Sequence, residues 1–205
     1  MTRRVVLASA SPRRRELLAM MGIPFEVVPG SVVEEEHAYT HPVELARGLA
    51  EEKARQVATR VEEGIVVGAD TIVVVDGRVL GKPTNNEEAK AMLRLLSGRT
   101  HQVVTGVAVL DRQRARTVAA EVEHASTDVT FLPWSDEDIN AYVATGEPRD
   151  KAGAYAIQGY AAVLIEGIRG CYFNVVGLPV SLLARMLRRR GVMVRPGPLL
   201  APEAQ

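Results

Sequence analysis

Asp70 stands inside an apolar run that reads Ile65-Val66-Val67-Gly68-Ala69-Asp70-Thr71-Ile72-Val73-Val74-Val75. A carboxylate in such a setting is costly, because an unpaired charge taken out of water loses several kcal/mol. It therefore calls for a metal ion, a cation, or a place at the wall of a cleft. Gly68 and Ala69 are expected to keep its surroundings open. Thr71 points to the opposite side if the strand stays regular. The alternative is a strand end with a turn-forming Asp, and the apolar run continuing to Val75 argues against it.

Four other groups of residues could share that chemistry. In Ser9-Ala10-Ser11-Pro12-Arg13-Arg14 a strand gives way to a helix through small residues. The first helical N–H groups lack partners and carry the positive end of the helix dipole, so this is a candidate phosphate cradle. Ser9, Arg13 and Arg14 add a hydroxyl and charge. An ordinary capped helix would look the same. Lys82, in Gly81-Lys82-Pro83, follows a reversal at Asp76-Gly77 that turns it back toward Asp70. It is a candidate to neutralise that carboxylate or to hold a phosphate, though a lysine in a Gly/Pro turn is more often plain surface. The run Glu34-Glu35-Glu36 beside His37 offers hard oxygen ligands for a cation such as Mg²⁺, or is a solvated loop. Lys53 is similarly open. Finally, Asp150-Lys151-Ala152-Gly153-Ala154-Tyr155-Ala156-Ile157-Gln158-Gly159 ends in an amide side chain. Gln158 both donates and accepts, as reading a nucleobase edge requires.

Other chemistries lack their residues. His37, His41, His101 and His124 are scattered, and no Gly-x-Ser-x-Gly elbow is present. Neither a Gly-x-Gly-x-x-Gly fingerprint nor a Walker A loop occurs. The single cysteine, Cys171, excludes an internal disulfide and sits where packing explains it. Lys+Arg and Asp+Glu both number 25. No net field is available to hold a nucleic acid polymer or an acidic membrane, so an anion must be bound by a local cluster. No apolar run reaches the roughly 20 residues that span a bilayer. The stretch after Arg4 is too short for a signal peptide and reads as a strand. A cytoplasmic protein is expected.

The elements that position these residues follow from periodicity and caps. Strands are expected at Arg4 to Ala8, Phe25 to Val28, Ile65 to Val75, Val103 to Leu110, Thr117 to Phe131 and Ala161 to Ile165. Helices are expected from Pro12 to Met21, with Ser11 as N-cap, and from Pro42 to Arg60, with Leu45, Leu49, Ala50, Ala54 and Val57 inward. Three more are expected over Asn86 to Leu96, from Ser135 to Thr145, and from Pro179 to Arg190. The alternation predicts an α/β domain with a mixed sheet. The turn-rich stretch Gly146 to Gly159 is the candidate lobe junction, and the proline-rich end from Pro196 is expected to be loose.

The order and spacing of the motifs resemble the Maf family of nucleotide pyrophosphatases. The matching runs are Leu-Ala-Ser-Ala-Ser-Pro-Arg-Arg at 7–14, Glu-Lys-Ala at 52–54, Gly-Ala-Asp-Thr at 68–71, Gly-Lys-Pro at 81–83 and Leu-Ser-Gly at 96–98. They continue with Asp-Lys-Ala-Gly-Ala-Tyr at 150–155, Ile-Gln-Gly at 157–159 and Val-Val-Gly-Leu-Pro at 175–179. The resemblance implies one domain over 1–195, with 196–205 as tail. It implies a mixed central sheet flanked by helices, two lobes around a cleft and the fold of the inosine triphosphatase-like pyrophosphatases. It further implies hydrolysis of a nucleoside triphosphate to the monophosphate and pyrophosphate, in a family whose members often work as cytoplasmic homodimers. One branch prefers dTTP and UTP, and its marks are matched here by Arg13, Thr71 and Gln158. The other prefers methylated GTP. Ala156 stands where the family usually has glycine, which predicts a shifted or strained loop if that position needs positive φ.

On this basis water is expected to attack the α-phosphorus, with Asp70 as general base or as ligand of the activating metal. Glu34 and Asp70 would hold Mg²⁺ or Mn²⁺. Ser9, Arg13, Arg14, Lys53 and Lys82 would bind phosphates, and Thr71 and Gln158 would lie near the pyrimidine. The rival class is a non-catalytic nucleotide-binding regulator of cell division.

Overall fold

The computed structural model describes residues 3–30 and 41–194. The strands are β1 (Val5–Leu7), β2 (Glu26–Val27), β3 (Gly64–Val75), β4 (Arg78–Leu80), β5 (Thr100–Gln113), β6 (Arg116–Phe131) and β7 (Ile165–Arg169). The helices are α1 (Pro12–Ala19), α2 (Pro42–Ala58), α3 (Asn86–Leu96), α4 (Asp136–Ala144), α5 (Tyr172–Val176) and α6 (Val180–Arg189). The strands hydrogen-bond in the order β2-β1-β3-β5-β6-β7, with β4 added beside β3. β1 pairs parallel with β2 and β3, whereas β3–β4 and β6–β7 are antiparallel. The sheet is thus mixed, as the alternation of elements predicts. No helix among the described residues is long and apolar enough to cross a membrane.

The chain divides into two compact units, and β3, β5 and β6 each give part of their length to both. Among the described residues the first comprises 3–30, 41–70, 105–125 and 177–194; the second comprises 71–104 and 126–176. The stretch Gly146 to Gly159, expected to join two lobes, lies wholly inside the second unit.

In the first unit α2 packs on β3 and β5 through small residues. Ala46, Ala50 and Ala54 recur every fourth position and form one buried stripe. Opposite them, Gly68 on β3 and Gly106 on β5 leave no room for a side chain. A Cβ on Gly68 would overlap the Ala50 carbonyl oxygen, and one on Gly106 would overlap that of Ala46. The core built there includes Val6, Ala8, Val57, Val66, Ala108 and Leu110. The inner face of α2 is therefore set by the alanine stripe, and Leu45, expected inward, is only half-buried while Ala46 takes its place. The space at Gly68, expected to keep Asp70 open, is filled by the helix.

In the second unit α3 and α4 cover an aromatic core. Phe131 stacks on Trp134 with centroids 5.3 Å apart, and Tyr155 and Tyr142 meet these rings edge-on. Ser135 closes a capping box with Asp138 at the start of α4. The expected strand at Ala161 to Ile165 is instead a 3₁₀ turn over Tyr160–Leu164, and the strand begins at Ile165. Ala161 and Ala162 offset the strand preference of Val163 and Ile165. The true strand, Ile165–Arg169, is an edge strand exposed over most of its length, whose pairing with β6 only the fold supplies. The short helix α5 carries no sequence pattern long enough to reveal it.

Candidate active site

β3 presents Gly68 and Asp70 on the same face, two residues apart. Because Gly68 lets α2 approach the strand so closely, Lys53, less than one turn beyond Ala50, reaches the Asp70 carboxylate. Its ammonium donates to Oδ1 in an ion pair whose side chains are 17% and 10% exposed. The cation on Asp70 is thus Lys53 rather than the Lys82 suggested by the Asp76-Gly77 reversal. That reversal does form, with φ of 50° and 73° at its two residues, and it starts β4. Lys82 is exposed just beyond that strand.

The loop after β1 supplies a second cation. Ser11 caps α1 by accepting from the Arg14 N–H at 3.4 Å. Arg14 folds back, so that its Nε donates to the Gly177 carbonyl at 2.9 Å and Nη1 approaches Ser9 Oγ at 3.5 Å. Burial lowers the Arg14 pKa, the charge of Asp70 raises it, and the neighbouring Arg13 lowers it. Ser9 is buried and also accepts from the Ser11 N–H at 3.2 Å. The backbone cradle expected at this helix start is thinner than the sequence implies. Pro12 has no N–H, that of Arg14 goes to Ser11 Oγ, and that of Arg15 goes to the Ser11 carbonyl at 3.2 Å. The guanidinium and hydroxyl side chains are the remaining candidate anion-binding groups of this loop. The first unit therefore gathers Ser9, Arg14, Lys53 and Asp70, with Arg13 beside them.

The second unit holds Thr71, Lys82 and Gln158. The Gly153 N–H donates to the Gly81 carbonyl at 3.0 Å, which ties the Asp150 to Tyr155 loop to the Lys82 loop. Gly153 has φ of 68°, and a Cβ there would come within 2.9 Å of Val73 Cγ2. Gly153 thus does a structural job that its motif alone did not reveal. Lys151 pairs with Asp150. Ala156 is not among the residues with positive φ, so alanine carries no strain there; the left-handed residues of the loop are Gly153 and Ala154, the latter with φ of 61°. Gln158 is exposed. Glu34, with the rest of its acidic run, lies outside the described residues. Among the described residues no three His, Cys, Asp or Glu side chains gather as a metal-binding group. Among the described residues gathered here Asp70 is the carboxylate, a hard oxygen donor that fits a Mg²⁺ ion taking one or two protein carboxylates and completing its shell with water and phosphate oxygens.

His101 was not assigned a role by its sequence context, and its neighbours are aromatic. Its Nε2 is 2.8 Å from Tyr155 Oη, and its ring meets Phe131 and Tyr155 edge-on. Burial pushes its pKa down to about 4. The unfolded chain takes up a proton below about pH 6.5, whereas the folded chain refuses it until about pH 4. The stabilisation from a neutral His101 is therefore full above pH 6.5 and is lost as the pH falls toward 4, by up to about 3 kcal/mol. Denaturant midpoints compared at pH 7 and pH 4.5 should differ less in His101→Gln than in the unmodified protein. An equal pH dependence in both would remove His101 as the cause.

A family model of Maf-like proteins matches residues 4–190. The dTTP/UTP pyrophosphatase of Bacillus cereus (strain AH820) is 47% identical over 192 residues, which cover 94% of this chain and 98% of that protein. The dTTP/UTP pyrophosphatase of Pelotomaculum thermopropionicum is 50% identical over 190 residues, covering 93% and 98%. Among solved structures, the Staphylococcus aureus Ham1 protein aligns with a TM-score of 0.53 at 12% identity, over 91% of this chain and 99% of that one. Identity that low concerns the fold alone, and the mixed α/β fold is the one shared with that Ham1 protein. The matched span takes in the Arg14 and Ser9 loop, Lys53, Asp70, and the Lys82 and Gln158 loops, so the residues gathered above fall within one family pattern, and the chain belongs to the Maf family.

Proposed function

We propose that this protein hydrolyses dTTP and UTP to the nucleoside monophosphate and pyrophosphate. The observation that carries the proposal is the Asp70–Lys53 ion pair, set in a chain alike over 94% of its length to relatives of that name. Asp70 takes a proton from water as the water oxygen bonds to the α-phosphorus. The bond from that phosphorus to its bridging oxygen breaks, and pyrophosphate leaves. Lys53 compensates the buried carboxylate and holds it in one orientation. Arg13, Arg14 and the Ser9 hydroxyl bind phosphate oxygens, with Lys82 on the leaving pyrophosphate. Asp70 together with Glu34 would hold Mg²⁺ or Mn²⁺, which supplies charge neutralisation at the phosphates. Thr71 and Gln158 recognise the base. Uracil and thymine present two carbonyl acceptors flanking one N–H donor, and an amide side chain complements one such acceptor–donor pair.

The test is to incubate the protein and Mg²⁺ with UTP, dTTP, CTP, GTP and methylated GTP in turn and to identify the products. Pyrophosphate and monophosphate from UTP and dTTP are expected. Products from methylated GTP alone would move the protein to the other branch of the family. Tight binding without products would make it a regulator.

A further inference from the structure

The turn that carries Gln158 is held from outside by one carboxylate. The turn closes on itself through the Gly159 N–H, which donates to the Ala156 carbonyl at 3.1 Å, so Ile157 and Gln158 are its two central residues. On one side of it the Ala156 N–H donates to Tyr142 Oη at 3.2 Å. On the other the Tyr160 N–H donates to Glu147 Oε2 at 3.2 Å. The two anchors are joined, because Tyr142 Oη donates to Glu147 Oε1 at 2.7 Å. Glu147 also lies so close to the turn that a Cβ on Gly159 would overlap its carboxylate. Gly159 has φ of −104°, so a side chain there would meet the Glu147 carboxylate and displace it rather than strain the backbone.

Tyr142 is buried on α4 and fixed by its edge-on contact with Trp134 at 5.4 Å. Burial, and then the Glu147 hydrogen bond, raise the pKa of its phenol, which keeps the proton that the bond to Glu147 needs. Glu147 itself begins the 3₁₀ turn after α4, where Gly146 has φ of 76°. A rigid helix therefore reaches the Gln158 turn through one phenol and one carboxylate. An exposed glutamine has no packing of its own to aim it, so its direction is inherited from the backbone these groups hold.

We propose that Glu147, acting with Tyr142, is a positioning residue for base selection, which sets the direction of Gln158 without touching substrate. The proposal rests on Gln158 reading the pyrimidine. Glu147→Gln keeps the shape and can still accept from Tyr142, but it turns an amide donor toward the Tyr160 N–H. Tyr142→Phe keeps the ring and removes the link, and it serves if Glu147→Gln folds poorly. Both are compared with Gln158→Ala in steady-state hydrolysis of UTP and CTP, with thermal melting alongside. In the two positioning variants we expect KM for UTP to rise about tenfold, with a smaller change in kcat, and the preference for UTP over CTP to fall as it does in Gln158→Ala. Combining Glu147→Gln with Gln158→Ala should lower that preference no further, because both act through one contact. A lowered preference in Gln158→Ala but not in the positioning variants overturns the role of Glu147 and leaves Gln158 as the reader. An unchanged preference in Gln158→Ala overturns the reading of Gln158, and this proposal with it. A fall in kcat alone, equal for both nucleotides, makes the carboxylate merely structural.

Discussion

Replacing Asp70 with Asn is expected to lower kcat for UTP by at least about a thousandfold while the protein stays folded. The loss is the proton acceptor for the attacking water, a contribution of order 10²–10⁴, together with the charge that would help hold the metal. Asparagine has the same shape and keeps an oxygen toward Lys53, so the strand face and its packing against α2 are preserved. Lys53 loses its counter-charge, but its side chain is 17% exposed, and its flexible stem lets the ammonium shift toward water. The melting temperature should therefore move by no more than about 5 °C, since each kcal/mol is about 2–4 °C for a chain of this size. Pyrophosphate release from UTP and a circular dichroism melt are the two measurements. Turnover within a few-fold of the unmodified protein would remove Asp70 from the reaction.

Gly68→Ala should damage stability and activity together, although it adds a single methyl group. The new Cβ would fall on the Ala50 carbonyl oxygen, 2.8 Å from Ala54 Cβ and 2.9 Å from the Ala54 nitrogen. These are parts of a helix that cannot yield as a side-chain tip would. α2 must lift off β3, at a cost of about 3 kcal/mol, or roughly 10 °C in melting temperature. Lifting α2 also carries Lys53 away from Asp70, and a displacement near 1 Å lowers kcat by about 100-fold. Gly106→Ala meets the same helix at Ala46, about 10 Å along its axis from Lys53 by the rise of a helix. It should lose similar stability with a smaller loss of activity at a temperature where both variants are folded. An unchanged melting temperature and rate in Gly68→Ala would refute the close approach of α2.

Several elements of both units could be read from local chemistry. Ser11 and Pro12 define the start of α1, the β-branched run defines β3, and Asp76-Gly77 defines the turn into β4. Caps, turns and periodicity act over a few residues, and neighbours in sequence suffice to fix them. The same holds for α3, which spans Asn86–Leu96 as its pattern predicts. β7 and α5 escaped because an exposed edge strand and a five-residue helix depend on partners far along the chain.

The sequence by itself determined that Asp70 needs a partner, since a charge in an apolar strand cannot stand alone. It also identified the family, through ordered motifs from residue 7 to residue 179. Which cation serves Asp70 was decided by the tertiary structure. Lys53 lies 17 residues away on another element, and it arrives only because Gly68 and the alanine stripe of α2 remove the space between helix and strand. The anchoring of Gln158 by Glu147 and Tyr142 likewise belongs to the fold. Glu147 is an ordinary acid in sequence until the turn at Ala156–Gly159 is packed against it. Propensity and pattern report what a residue prefers, whereas contact across elements is set by how closely two backbones can approach.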